Sequence, residues 1–300
     1  MSTLLPYVLD RIEAAEPKHG RKLRRQLESM DEVFRSRAED FFGRYGNFIT
    51  AQHESLDFGV DCYLKLRVSM MKERILFLKT GRYRNGSFEE VNRSVYNHPE
   101  AMREHMHGLV FAQFLWPDQY RRYSFFCEGL PRYAAAIRRY LEIGGGHALY
   151  LGEALRILGG DAEFDLVDVS PTSIELAQGI VCDPRVRYHL LNIFDYSPGQ
   201  QYDFITMGEV IEHVERPVEL LEKVRSLLAP SGRAYITTPA NAPMPDHIYL
   251  FRDEEEIRQT LREAGFEIET EALMYEDDLP PEQAKAQKAA LMYSAFVKNA

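Results

Sequence analysis

The segment Tyr140–Gly152, "YLEIGGGHALYLG", places an acidic residue and three consecutive glycines between an apolar run and the start of a helical pattern. Because glycine has no Cβ, such a turn lets the chain reverse sharply and lets a bulky ligand lie against the backbone. In an α/β sheet, the turn between the first strand and the first helix is the expected place for a nucleotide-like ligand. The segment therefore predicts a strand, a turn and a helix, with a ligand at the turn.

The pattern around this segment divides the chain into two parts. Residues 1–137 show helical spacing and hardly any strand alternation, whereas short strands alternate with helices from residue 138 onward. This alternation predicts an α/β fold with a doubly wound, mostly parallel, seven-stranded sheet. The predicted strands are "RYLEI", "EFDLVD", "VRYHLL", "YDFITM", "RAYITT", "FEIETEALMY" and "YSAFVKNA". We expect an N-terminal all-helical lid domain over 1–137 and a ligand-binding domain over 138–300.

Composition limits the class of protein and its partners. The 300 residues are 45% hydrophobic and 27% charged, which is typical of a soluble globular chain. A formal net charge of −10 disfavours a nucleic-acid partner, because binding to phosphates needs a basic surface. The three cysteines are widely spaced, and the first twenty residues contain acids and no long apolar block. We therefore expect a cytoplasmic protein with no membrane partner.

The glycine turn does not fit the dinucleotide fingerprint G-x-G-x-x-G/A. If the motif starts at Gly144, its second glycine is Gly146 but its third position falls on Leu149; if it starts at Gly145, the second falls on His147. Both registers fail, so the sequence disfavours NAD or FAD as the ligand.

A different spacing fits the turn: Glu142-x-Gly144-x-Gly146-x-Ala148. With it, the chain resembles the class I S-adenosylmethionine-dependent methyltransferases, whose first motif is an acid followed by alternate glycines; Ala148 departs from the last glycine. The resemblance extends over residues 138–270 through "FDLVDVSPTSIELA", "LLNIFDY", "YDFITMGEVIEHVERP" and "LLAPSGRAYITTP", in the family's order. It implies a Rossmann-like methyltransferase fold, S-adenosyl-L-methionine as cofactor and methyl transfer as the activity, close to the ubiquinone-biosynthesis-like and natural-product branches.

The resemblance also implies which residues bind the cofactor. Asp168, at the end of the second strand, would accept hydrogen bonds from the ribose hydroxyls, and Asn192 would accept from the adenine amine. Alternatives stay open, because Asp168 could only cap a helix, Asn192 could only form a turn, and Glu209 could lie in the first turn of a helix. Gly145 and His147 have no predicted role. The full predicted set is Glu142, Gly144, Gly146, Asp168, Asn192, Ile193, Phe194 and Glu209.

Two histidines are candidates for a catalytic base. His213 and His247 follow the fourth and fifth predicted strands, whose carboxyl ends border the ligand site. A base is needed only if the acceptor must lose a proton. His213, Asp246 and His247 are also a known type of metal-ligand set, but without a distance between them the sequence predicts no metal site.

The acceptor is predicted to be a small polar metabolite, amino acid-like or a biosynthetic intermediate, with O, N, S and C acceptors all open. The helical half would enclose the acceptor. Alternatively, the aromatic and basic residues of that half only form a core helix with a solvated edge. Alternatives are a nucleic-acid or protein methyltransferase and a non-catalytic cofactor-binding protein. Whether the helical half forms a homodimer also stays open. The predicted acceptor-binding residues are Trp116, Tyr120, Arg121, Arg122, Tyr123 and Asn241.

Overall fold

The computed structural model describes residues 4–96 and 98–300. Helices make up the N-terminal half, where α4 ends at Gly81 in the left-handed conformation that glycine adopts without strain. Within the described residues, no helix is both long enough and apolar enough to cross a bilayer. These helices are α1 (Leu4–Ala15), α2 (Pro17–Glu28), α3 (Glu32–Ala51), α4 (Leu56–Thr80), α5 (Phe88–Val91), α6 (Pro99–Leu115) and α7 (Pro117–Gly129).

The C-terminal half contains a seven-stranded sheet with the order β3-β2-β1-β4-β5-β7-β6. The first five strands along the chain pair in parallel, and β7 lies antiparallel between β5 and β6. The predicted mostly parallel, seven-stranded sheet is confirmed. The strands are β1 (Arg139–Ile143), β2 (Glu163–Asp168), β3 (Val186–Leu190), β4 (Tyr202–Gly208), β5 (Leu228–Ala240), β6 (Phe266–Tyr275) and β7 (Leu291–Asn299).

The helices between the strands are α8 (Leu149–Ile157), α9 (Pro171–Val181), α10 (Pro217–Leu227), α11 (Glu254–Glu263) and α12 (Pro281–Gln287). Two of them begin at a residue whose side chain accepts from the first backbone N–H groups. The Ser170 hydroxyl accepts from the Ser173 amide at the start of α9, and the Asp253 carboxylate accepts from the amides of Glu255 and Glu256 at the start of α11.

The helical half and one face of the sheet share a single apolar core. Phe34 and Phe114 of the helices belong to the same buried cluster as Tyr140 of β1 and Phe296 of β7. The approach is close at Gly129, where an added Cβ would lie 2.2 Å from the Phe296 ring. A second cluster fills the other face of the sheet. The division at residues 137 and 138 stays a prediction, and the two parts on either side of it pack as one body.

The N-terminal half also reaches over the carboxyl edge of the parallel strands. The amide Nδ2 of Asn85 donates to the carbonyl of Pro245 at 2.7 Å. His105 of α6 and Arg122 of α7 contact acidic side chains of the sheet half, Asp246 and Glu209 respectively. Since ligands bind outside this edge in open α/β sheets, the helices border the expected site directly.

Candidate functional site

The glycine turn after β1 requires glycine at two of its predicted positions. Gly144 and Gly146 have φ values of 67° and 50°, in the left-handed region that side chains disfavour. A Cβ on Gly144 would also lie 2.4 Å from Cγ2 of Val210, and one on Gly146 would lie 3.2 Å from Cε of Met106. The turn is therefore bordered by α6 of the helical half as well as by the sheet.

The structure gives Gly145 and Ala148 roles that the sequence did not reveal. A Cβ on Gly145 would lie 2.3 Å from Cδ1 of Leu166, so glycine here allows the turn to pack on β2. Ala148 begins α8 with a φ of 54°, a conformation that costs a residue with a Cβ about 1–2 kcal/mol. Its departure from the family's glycine is thus a local source of strain. His147 packs edge-on against Phe41, with ring centroids 5.9 Å apart.

Glu142 is a buried carboxyl at the end of β1. One of its oxygens accepts from the hydroxyls of Tyr140 and Thr206, each at 3.4 Å. Burial raises the pKa of Glu142 to about 8, against the opposing effect of these donors. A buried carboxyl with hydrogen bonds as long as these can still accept a shorter one from a donor bound at the turn.

Asp168 connects the end of β2 to the glycine turn. Its Oδ1 accepts from the Ser170 amide at 2.8 Å and its Oδ2 from the Gly146 amide at 3.4 Å. Ser170 rather than Asp168 caps α9, so the alternative of a helix-capping Asp168 is wrong. Burial raises the pKa of Asp168 to about 6, opposed by backbone donors and by the nearby His213.

The three predicted adenine-side residues lie in different environments. Asn192 caps a short 3₁₀ turn, with its Oδ1 accepting from the Phe194 amide at 3.0 Å, so the turn-forming alternative describes what this oxygen does. Ile193 is buried in the core on the far face of the sheet, whereas Phe194 is 46% exposed. Of these two residues, Phe194 is therefore the one whose side chain a ligand can contact from solvent.

Glu209 forms an ion pair with a residue of the helical half. Its Oε1 accepts from the hydroxyl of Thr237 at 2.9 Å and lies 2.7 Å from Nη1 of Arg122. Glu209 has a φ of 56° and precedes the 3₁₀ turn Ile211–His213, so the alternative that it lies in the first turn of a helix is wrong. Arg122 is buried, and its Nε has no hydrogen-bond partner in the described part of the chain. The pair therefore presents one acidic and one basic group at the sheet edge.

The two predicted bases lie together, beside an acid, Glu212, that is not among the predicted site residues. The rings of His213 and His247 are 4.9 Å apart and nearly perpendicular. Glu212, fully buried, lies 3.9 Å from the Nε2 atom of each ring, measured from its Oε1. Burial lowers the pKa of His247 to about 3, which makes it a poor proton acceptor near neutral pH and weakens its case as the base. The repeated acids of "GEVIEH" were the available signal for Glu212.

The predicted acceptor-binding residues do not gather at the sheet edge. The indole N–H of Trp116 donates to the Tyr63 hydroxyl at 2.9 Å, and Tyr120 packs edge-on against Phe34. Tyr120 is buried in the core of the helical half, and the half-buried Trp116 packs against the same core. Their role in acceptor binding stays a prediction.

The remaining members of that set are also separated. Tyr123 lines a cavity of about 610 Å³ between α3, α7 and α8, and Arg121 is exposed. Asn241 donates to the carbonyl of Arg252 at 2.7 Å and so holds the ends of the loop that carries His247. Of the predicted set, Arg122 is the residue that contacts a predicted cofactor residue.

The turn and its acids match the chemistry of S-adenosylmethionine. This cofactor carries an ammonium group, a sulfonium and ribose hydroxyls, which are cationic groups or hydrogen-bond donors. Glu142, Asp168 and Glu209 supply carboxyl groups around the turn, and a carboxylate is the acceptor that such groups require. Because Gly144 and Gly146 have no side chains, a ligand can lie directly against the backbone of the turn.

Comparison with known proteins places this arrangement in a family. The sequence model described as "Methyltransferase domain" matches residues 118–271, which is about half of the chain and includes α7. A ubiquinone biosynthesis O-methyltransferase of Xanthomonas euvesicatoria pv. vesicatoria is 25% identical over 162 residues, covering 46% of this chain and 66% of the relative. One of Xanthomonas campestris pv. campestris (strain B100) is 29% identical over 109 residues, covering 35% and 44%. The chain thus spans less than two thirds of the length of these relatives.

Among solved structures, the mitomycin 7-O-methyltransferase MmcR superposes with a TM-score of 0.51 at 12% identity. The match covers 77% of this chain and 68% of that one. At this identity the likeness concerns the fold alone.

Proposed function

Because the chain belongs to the methyltransferase domain family and is a class I S-adenosylmethionine-dependent methyltransferase, we propose that it methylates an oxygen atom of a small polar molecule. S-adenosylmethionine, when bound, supplies an electrophilic methyl group that an acceptor takes by in-line displacement from sulfur. The choice of oxygen rests on the curated relatives, which are O-methyltransferases.

The observation that supports a small acceptor is the enclosure of the sheet edge by α6 and α7. His105 lies 3.4 Å from Asp246, and Arg122 lies 2.7 Å from Glu209, so two helices contact the loops after β4 and β5. An enclosed edge excludes water and aligns two reactants, which are the main requirements of methyl transfer. Such an enclosure favours a small molecule over a folded protein or a nucleic-acid duplex as the acceptor.

Each residue of the edge has a proposed role in binding. Asp168 accepts from the ribose hydroxyls, and Phe194 packs against the adenine with Asn192 beneath it. Glu209 and Arg122 bind the ammonium and the carboxylate of the cofactor's amino acid end, respectively. This assigns Arg122 to the cofactor rather than to the acceptor, because its partner Glu209 directly precedes Val210, whose side chain lies against Gly144 of the turn.

The test is to incubate the protein with methyl-labelled S-adenosylmethionine and, separately, with metabolite, total RNA and protein fractions. We expect label in a small molecule, with a rate that is insensitive to salt, and an O-methyl signal by NMR of the isolated product. Label confined to RNA or protein would overturn the acceptor class. Binding of S-adenosylhomocysteine by calorimetry without transfer to any fraction would favour the non-catalytic alternative.

A further inference from the structure

Three potential metal ligands meet at the carboxyl edge of β4 and β5. They are Oε1 of Glu212, Nε2 of His213 and Nε2 of His247, and all three atoms lie within 4.8 Å of one another. The two imidazoles each lie 3.9 Å from the same carboxylate oxygen. Donors bound to one tetrahedral ion at about 2.1 Å stand roughly 3.4 Å apart, so small side-chain rotations would bring these three into coordination.

The shared oxygen has no other partner. Glu212 is 0% exposed, and its Oε1 has no hydrogen bond to any residue that the structure describes. A buried carboxyl oxygen left unpaired is destabilising, because no hydrogen bond replaces the water that it loses on burial. Its neighbours at 3.9 Å are too distant for hydrogen bonds, so the protein side chains alone do not satisfy it. A cation bound between the three groups would give this oxygen a partner.

Surrounding contacts orient two of the three groups, His213 and Glu212, in the way that bound metals require. His213 Nδ1 lies 3.0 Å from the carbonyl oxygen of Asp246; since a carbonyl only accepts, Nδ1 carries the proton and the Nε2 lone pair faces Glu212. The other oxygen of Glu212 accepts from the Thr238 hydroxyl at 2.9 Å. Ligating histidines and carboxylates in metalloproteins are held by such outer hydrogen bonds.

The two loops that carry the ligands are fixed to each other. The backbone carbonyl of Glu212 accepts from the amides of Ile248 and Tyr249, both at 2.9 Å. The loop after β5 is also held by Asn85 from the helical half. The distance between His213 and His247 is therefore set by the fold, while the 21% exposure of the His213 side chain leaves a path from solvent.

We propose that Glu212, His213 and His247 bind a divalent first-row transition-metal ion. Two imidazoles and one carboxylate with open positions suit Zn²⁺, Co²⁺, Fe²⁺ or Mn²⁺. This departs from the expectation of no metal, and it replaces Asp246 with Glu212 in the ligand set weighed from the sequence.

The ion would also act on the acceptor, a role that rests on the proposed function. An acceptor hydroxyl bound at an open position loses its proton to solvent more readily, because the cation stabilises the oxyanion. The oxygen then forms its bond to the methyl carbon as the carbon–sulfur bond breaks, and the electron pair of that bond stays on sulfur as a neutral thioether. A metal-bound oxygen would thereby need no histidine base.

Cobalt binding tests the site without an acceptor or the methyl donor. Metal-stripped full-length protein is titrated with Co²⁺ and followed by visible absorption, with Glu212→Gln and His213→Ala as variants. The control is His53→Asn, an exposed residue with a φ of 63° that asparagine tolerates. We expect one Co²⁺ per chain with ligand-field bands for wild type and control, and affinity weaker on the order of 100-fold for the variants.

Binding that is absent in wild type, or equal in wild type and both variants, would overturn the proposal. If a variant fails to fold, the melting temperature of wild type with and without Co²⁺ provides a second measurement, and no shift counts against the site. Calorimetry with S-adenosylhomocysteine and the labelled transfer assay run in parallel. Methyl transfer by a chain that binds no metal would refute the metal site and leave the proposed function standing.

Discussion

Replacing Arg122 with methionine removes the cation from a buried ion pair and keeps most of the side-chain volume. Glu209 would then have only the Thr237 hydroxyl as a partner for its Oε1. Removing one member of a buried pair costs about 3–5 kcal/mol. Because the side chain of Glu209 is 26% exposed and water can solvate it, we expect a smaller loss than for a fully buried pair, about 2–3 kcal/mol in the free energy of unfolding.

The same change should weaken cofactor binding, because Arg122 is proposed to bind the carboxylate of its amino acid end. A hydrogen bond to a charged group contributes about 1.5–3 kcal/mol, which corresponds to roughly 10- to 100-fold in the dissociation constant. Urea unfolding measures the first effect, and calorimetry with S-adenosylhomocysteine measures the second. The neighbouring Arg121→Met change, at an exposed position of the same helix, is the matched control.

The double variant Arg122→Met with Glu209→Gln separates the two effects. If the ion pair is the source of the lost stability, the double variant should be more stable than Arg122→Met alone, since no uncompensated carboxylate remains. Affinity for S-adenosylhomocysteine should stay low in both. Unchanged affinity in Arg122→Met would refute the assignment of this arginine to the cofactor.

Three further predictions concern the glycine turn and its acid. Ala148→Gly should raise stability by about 1 kcal/mol, visible as a higher urea midpoint, because φ at this position is 54°; a lower midpoint would contradict the strain. Gly145→Ala should destabilise the protein by about 1–3 kcal/mol, since its Cβ would lie 2.3 Å from Leu166. Gly159→Ala is the control, because a Cβ there has no atom within 4 Å. Equal urea midpoints for the two variants would contradict the clash. Burial raises the pKa of Asp168 to about 6. Its neutral form therefore favours folding below the unfolded value of 3.8, and this contribution is lost as pH rises through 6. Binding of S-adenosylhomocysteine needs the carboxylate form of Asp168, so its affinity should fall by up to about tenfold per pH unit below 6. The Asp168→Asn variant should lose this pH dependence. An affinity of wild type that does not change with pH would contradict the ribose role.

The sequence predicts the sheet well, because the hydrophobic periodicity of strands and helices and the glycine and proline residues that end them are local signals. Each predicted strand is present, and the spacing of Glu142, Gly144 and Gly146 places the turn where the structure has it. The role of Gly145 depends on Leu166, a residue of another strand, so no local pattern contains it.

The side chains of the helical half were harder to place, for a related reason. Trp116 lies between α6 and α7 and Arg122 lies within α7, yet Trp116 packs against Tyr63 and Arg122 reaches Glu209. Which face of a helix meets the sheet is decided by tertiary packing rather than by helix propensity. Glu212 was missed because its role follows from its distance to His247, which lies in a loop after a different strand.

The core shared by the helices and the sheet restricts how molecules enter and leave the site. Swinging α7 away from the sheet would separate Gly129 from the Phe296 ring and expose Phe126, Tyr235 and their apolar neighbours to water. Opening by rotation of one half against the other would thus resemble partial unfolding. Exchange of reactant and product is therefore expected to depend on movements of side chains at the edge, such as the exposed Phe194 and the partly exposed Glu209, and not on separation of the two halves.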